Sequence, residues 1–78
     1  MTPREQAQEG LNLLKRSILR VIRNHPDGIS NADVARELDI RADYQGAHVG
    51  YLSWSILGLL LNEEKIEKSD RCYYPKDE

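Results

Sequence analysis

The chain has 78 residues, 40% of them apolar and 31% charged, with a formal net charge of −2. That length supports one domain with a small core, and that balance describes a folding globular chain and excludes a disordered one. A single cysteine, Cys72, rules out an internal disulfide and a cysteine-built zinc site, and the start MTPREQAQEG has no apolar signal region. No stretch reaches the apolar length of a bilayer span, so the expected setting is the cytoplasm.

A helix is expected over about residues 3–24. Thr2-Pro3-Arg4-Glu5 supplies an N-cap threonine, a proline at the first helical position and a glutamate placed for a capping box. Leu11, Leu14, Ile18, Val21 and Ile22 then recur at helical spacing and form its core face. Arg16, Arg20 and Arg23 fall opposite, on a face read as solvated. Asn24-His25-Pro26 ends the helix, because proline disfavours helical geometry in the residue before it. His25 is expected to act as a dipole partner at that terminus, not as a catalytic base.

Pro26-Asp27-Gly28 is a turn, and Gly28-Ile29 suits a very short extended piece. Ser30 caps a second helix over about 31–38, with Asp33 in the capping-box position and Val34, Ala35 and Leu38 facing inward. Asp39 to Gly50 reads as a polar connection. A third helix follows over about 50–62, and Leu52, Ser53, Trp54, Ile56, Leu57, Leu59, Leu60 and Leu61 spread around more than half its circumference at about 100° per residue. Tyr51, Ser55, Gly58 and Asn62 share the remaining strip, which extends backward through His48 and Gln45 if the helical spacing holds. The expectation is a helix buried on most sides with one uncharged edge. Finally, Ile66-Glu67-Lys68 and Cys72-Tyr73-Tyr74 flank the polar Ser69-Asp70-Arg71, the pattern of a β-hairpin over about 65–75.

Helix, short extended piece, helix, helix, hairpin is the element order of a mostly α, three-helix winged helix-turn-helix domain. GISNADVARELDI resembles the second helix of that family with its flanks. DYQGAHVGYLSWSILGLLLNEEKIEK resembles small winged-helix modules found alone or beside bacterial restriction endonucleases. The resemblance covers the chain from Leu11 onward and rests on element order and apolar pattern. It implies binding of double-stranded DNA, with the third helix in the major groove and the hairpin wing on the backbone or minor groove. The residues it points to are Arg41, Gln45, His48, Tyr51, Ser55, Lys68 and Arg71. Gln45 is suited to adenine, His48, Tyr51 and Ser55 to base edges or phosphates, and Arg41, Lys68 and Arg71 to phosphates. The strip itself holds no cation, which departs from many winged helices.

Charge along the chain is uneven. Residues 1–25 carry five cations against two carboxylates, whereas residues 26–50 carry two against five. No long basic patch exists, and Glu63, Glu64, Glu67 and Asp70 crowd the wing, so any DNA affinity should be modest and salt-sensitive. An alternative reading is a winged helix that serves protein interaction or dimerisation without DNA. Surplus apolar residues support it: Leu13, Trp54 and Leu61 are the expected contact residues of a homodimer or partner interface. The chain offers no catalytic constellation. His25 and His48 stand apart without metal-ligand spacing, and Gly46 and Gly50 lack the lysine of a phosphate loop. No cofactor, metal or small-molecule ligand is expected, and the chain does not read as an enzyme.

Overall fold

The computed structural model describes residues 1–39, 42–44, 47–49 and 51–76, with 42–44, 47–49 and 51 given by their backbone. Helix α1 runs Pro3–Arg23, strand β1 Ile29–Ser30, helix α2 Asn31–Leu38, strands β2 Ala42–Tyr44 and β3 Ala47–Val49, helix α3 Tyr51–Asn62, and strands β4 Ile66–Ser69 and β5 Cys72–Pro75. Three helices pack with a small antiparallel sheet in the order β1-β5-β4, which is a winged-helix arrangement.

Local chemistry sets the element ends. At the start of α1 the Thr2 hydroxyl accepts from the Glu5 N–H and the Glu5 carboxylate accepts from the Thr2 N–H, both at 3.2 Å, closing the expected capping box. Ser30 caps α2 by accepting from the Asp33 N–H, but the reciprocal half of that box does not form. The Asp33 carboxylate instead accepts from Arg36 one turn along the helix. Helix α3 ends in a paired closure, with the Lys65 N–H donating to the Leu60 carbonyl at 2.9 Å and the Glu64 N–H to the Leu61 carbonyl at 3.0 Å. Glu64 takes the left-handed position (φ 59°) that glycine usually fills in such a motif.

Ile18, Val21 and Ile22 of α1, Ile29 of β1, Val34 of α2, Ile56, Leu57 and Leu60 of α3, Ile66 of β4 and Tyr73 of β5 form one core. Leu11, Leu14, Leu19, Leu38 and Leu61 are half-buried around it. The wing is built into this core: Ile29 pairs with Tyr73, and β5 pairs with β4 from Ile66↔Pro75 to Ser69↔Cys72. Cys72 is half-buried.

One polar residue is almost fully enclosed. Ser53, 1% exposed, donates from Oγ to Asn31 Oδ1 at 2.6 Å, fixing the rotation of α3 against the first turn of α2. At the other end of α2, Glu37 meets His25 Nε2 at 3.0 Å, so the histidine links the end of α1 to α2.

Two further features differ from the expectation. Residues 42–49 carry an antiparallel hairpin, with Ala42↔Val49, Asp43↔His48 and Tyr44↔Ala47 opposed, where the sequence read only as a polar connection. Strands of three residues are too short to show alternation. Helix α3 is also less buried than its composition suggests. Ser53, Ile56, Leu57 and Leu60 are its only buried side chains among the described residues. Leu52, Trp54 and Leu59 are exposed, because a helix touching three elements on one side can bury only one stripe.

Gly28 holds the turn between α1 and β1. Its φ is +104°, and a Cβ there would stand 2.6 Å from the Tyr74 ring. Gly28→Ala is therefore expected to lower stability by about 1–3 kcal/mol in urea unfolding, since it combines a left-handed backbone with a contact the ring must vacate. Ser53→Ala removes the α2–α3 hydrogen bond from a buried site and should cost about 1–3 kcal/mol in the same measurement. Hydrogen bonding to Thr2, its side chain first and its backbone N–H second, lowers the pKa of the Glu5 carboxyl. A depressed carboxyl stabilises the fold above its unfolded pKa and loses that contribution as pH falls through the folded one. The stability advantage of the native chain over Glu5→Gln should thus be present at neutral pH and vanish in acid.

Candidate functional site

The outer face of α3 is exposed. Taken at about 100° per residue, Ser55, Gly58 and Asn62 run along its middle, Leu52 and Leu59 along one edge and Trp54 along the other. All six are exposed, Trp54 at 59%, Leu52 at 44% and Leu59 at 36%. No acidic residue stands in the first turn of α3 and no basic residue in the last. Between Tyr51 and Asn62 the helix carries no formal charge at all.

The predicted DNA-contact residues fall into three groups. Arg41 and Gln45 lie outside the described residues. Tyr51 opens α3 and Ser55 stands one turn further, exposed. His48 lies in β3, opposite Asp43, so the helical strip starts at Tyr51 and does not run back to His48. Extended backbone alternates sides every residue, and the spacing used to join His48 to the strip does not apply there.

Lys68 and Arg71 are exposed on the wing. The Lys68 ammonium sits 5.6 Å from the centre of the Tyr73 ring, a cation–π approach that leaves its outer side open. Arg71 occupies the two-residue link between Ser69 and Cys72 beside Asp70, whose φ of 55° is tolerated by a short carboxylate side chain. The wing tip therefore presents one cation and one carboxylate together. Arg16, Arg20 and Arg23 on α1, and Lys68 and Arg71 on the wing, make no ion pair with any described residue.

Of the expected interface residues, Leu13 is 57% exposed on α1 and Trp54 is exposed on α3, whereas Leu61 packs half-buried against the core. By the angular count Leu13 lies opposite Ile18, on the far side of α1 from the core. The residues that sequence reasoning assigned to the interior but the structure exposes are Leu52 and Leu59. The same arc held Ser53, the one buried polar residue among those described, and the angular count did not separate its buried members from its exposed ones.

A second feature lies at the C-terminal end of α3. An open groove of about 480 Å³ is lined by Asn12, Lys15, Arg16 and Leu19 of α1 and by Leu60, Glu63 and Lys65. The Lys15 ammonium pairs with the Glu63 carboxylate across it. Glu63 sits at the negative end of the α3 dipole, an unfavourable place for a carboxylate, and Lys15 offsets that. Among the described residues no group of three or more His, Cys, Asp or Glu side chains is placed to hold a metal ion, and no helix is long and apolar enough to cross a membrane.

No family model, no curated protein and no solved structure matches this chain, so the reading of its surface rests on its own residues.

Proposed function

We propose that this chain is a DNA-binding winged-helix module, acting as a small transcriptional regulator or as the DNA-recognition part of a restriction-type system in the cytoplasm. It binds and does not catalyse. The observation that carries the reading is the uncovered outer face of α3 in a winged-helix frame whose wing cations, Lys68 and Arg71, have no carboxylate partner among the described residues. Cations without an internal partner are available to phosphate, and phosphate contacts supply the bulk of non-specific affinity.

In this reading α3 enters the major groove with Ser55 and Asn62 toward base edges and Gly58 permitting close approach. Tyr51 contributes from the start of the helix and His48 from β3, while Gln45 and Arg41 are proposed to supply an adenine and a phosphate contact from the segment before it. The neutrality of α3 sets the magnitude. With about two or three phosphate contacts, affinity should fall roughly ten- to forty-fold between 50 and 200 mM salt, a shallow dependence for a DNA-binding protein.

A second reading, a protein-docking winged helix, is favoured by one observation: the edges of the same face are Leu52, Leu59 and Trp54, and exposed aromatic and aliphatic residues without charge are the composition of a protein contact.

Fluorescence anisotropy with a mixed-sequence duplex at 50 and 200 mM salt separates the two. The DNA reading predicts binding that weakens with salt and weakens at least five-fold further in Arg71→Glu and in Lys68→Glu. Absence of binding at 50 mM salt, or indifference to both reversals, contradicts it and leaves the docking reading.

A further inference from the structure

We infer that the outer face of α3 is a self-association surface, on which two copies of the chain pack α3 against α3, antiparallel, about a two-fold axis near Ile56. Three observations converge on a second copy as the occupant.

The first is charge. A two-fold contact sets each side chain near its own kind, so any charge in the patch is repelled by its copy. Helix α3 carries no charged residue from Tyr51 to Asn62, and so meets itself without that penalty. A partner chosen by charge has nothing on this face to select.

The second is relief. Trp54 projects from the face at 59% exposure, and Gly58, one turn later, has no described atom within 4 Å of where a Cβ would stand. Trp54 and Gly58, the bulkiest and the smallest residues of the face, lie one turn apart on the same side of its midline. An in-plane two-fold axis perpendicular to the helices reverses the order of residues and preserves the edge, so Trp54 of each copy arrives over Gly58 of the other.

The third is the opposite edge, where Leu52 and Leu59 are exposed. The midpoint between Leu52 and Leu59 falls within half a residue of the midpoint between Trp54 and Gly58. One axis therefore seats Leu52 on the second copy's Leu59 while it seats Trp54 on Gly58. Two independent pairings sharing one axis make the face self-complementary, the property an isologous dimer requires. The patch is a single helix face and smaller than a standard interface, so the dimer is concentration-dependent.

This face is also the one proposed to meet DNA, and a paired copy would cover it. Self-association and DNA binding by α3 would then exclude one another, although the dimer itself does not depend on the DNA reading. Sedimentation velocity of the full chain without DNA, from about 5 to 500 μM, is the test, with the emission of Trp54, the only tryptophan, read in parallel. The expected result is a shift from monomer to dimer accompanied by a blue shift of the emission. Gly58→Lys adds bulk and like charge to the face at a position where the new Cβ meets no described atom of its own chain within 4 Å, and Leu59→Lys charges the other edge. Each should weaken association at least ten-fold while circular dichroism and the melting temperature remain those of a folded chain. A wild-type chain that stays monomeric throughout, or a dimer that persists unweakened in both folded variants, overturns the proposal. DNA binding at monomer concentrations is scored separately by the Arg71 and Lys68 variants.

Discussion

The fold depends on one narrow stripe of α3. Ser53, Ile56, Leu57 and Leu60 follow the i, i+3, i+4, i+7 spacing and are the side chains this helix gives to the core. α1, α2 and β4 all pack against α3, so no other orientation of the helix serves them together. Burial of each large aliphatic residue in the stripe contributes about 1.5–3 kcal/mol. Turning the helix to hide Trp54 would expose more than it covered. Ser53 adds direction to that constraint, since its hydroxyl reaches Asn31 in one rotation only. The exposed Leu52, Trp54 and Leu59 are thus a consequence of correct packing, and they define the character of the outward surface.

That surface carries no formal charge. Arg16, Arg20 and Arg23 lie on the face of α1 turned away from the core, and Lys68 and Arg71 lie on the wing. Acidic residues take the left-handed positions that follow α2 and α3 and turn the wing: Asp39, Glu64 and Asp70, with φ between 54° and 59°. Such a conformation costs roughly 1–2 kcal/mol for a residue with a Cβ. Asp39 and Asp70 carry it with short polar side chains, whereas Glu64 holds a place where glycine would be easier. The wing tip therefore holds Arg71 with Asp70 beside it. With α3 neutral and the wing of mixed sign, an electrostatic grip on phosphate would be weak, and the apolar edges of α3 define the rest of that surface.

The sequence made the frame legible because each helix announces itself locally. Thr2-Pro3-Arg4-Glu5 predicts the α1 capping box atom for atom, Asn24-His25-Pro26 predicts its end, and Ser30 predicts the start of α2. The wing was legible from two short runs around Ser69-Asp70-Arg71. The β2–β3 hairpin was not, since three-residue strands leave no periodicity to read. That omission carried into the site, because the strip of α3 was extended through His48 as if residues 47–49 were helical. The burial of α3 was misjudged for a different reason. A nearly all-apolar helix has no polar face to mark the outside, so composition alone assigns Leu52 and Leu59 to the core. Only the packing of α1, α2 and the sheet decides which stripe goes in, and Ser53, a serine at the centre of that stripe, runs against the hydropathy signal.

The central claim is that the outer face of α3, flanked by the wing, is the working surface of this protein. Amide-resolved NMR of dilute protein titrated with a mixed-sequence duplex at low salt tests it most directly. The account predicts shifts concentrated at Ser55, Gly58, Asn62, Lys68 and Arg71, with the amides of Ile18, Ile22 and Val34 in the core unmoved. Shifts confined to the far side of α1 around Leu13, with α3 and the wing silent, would contradict it.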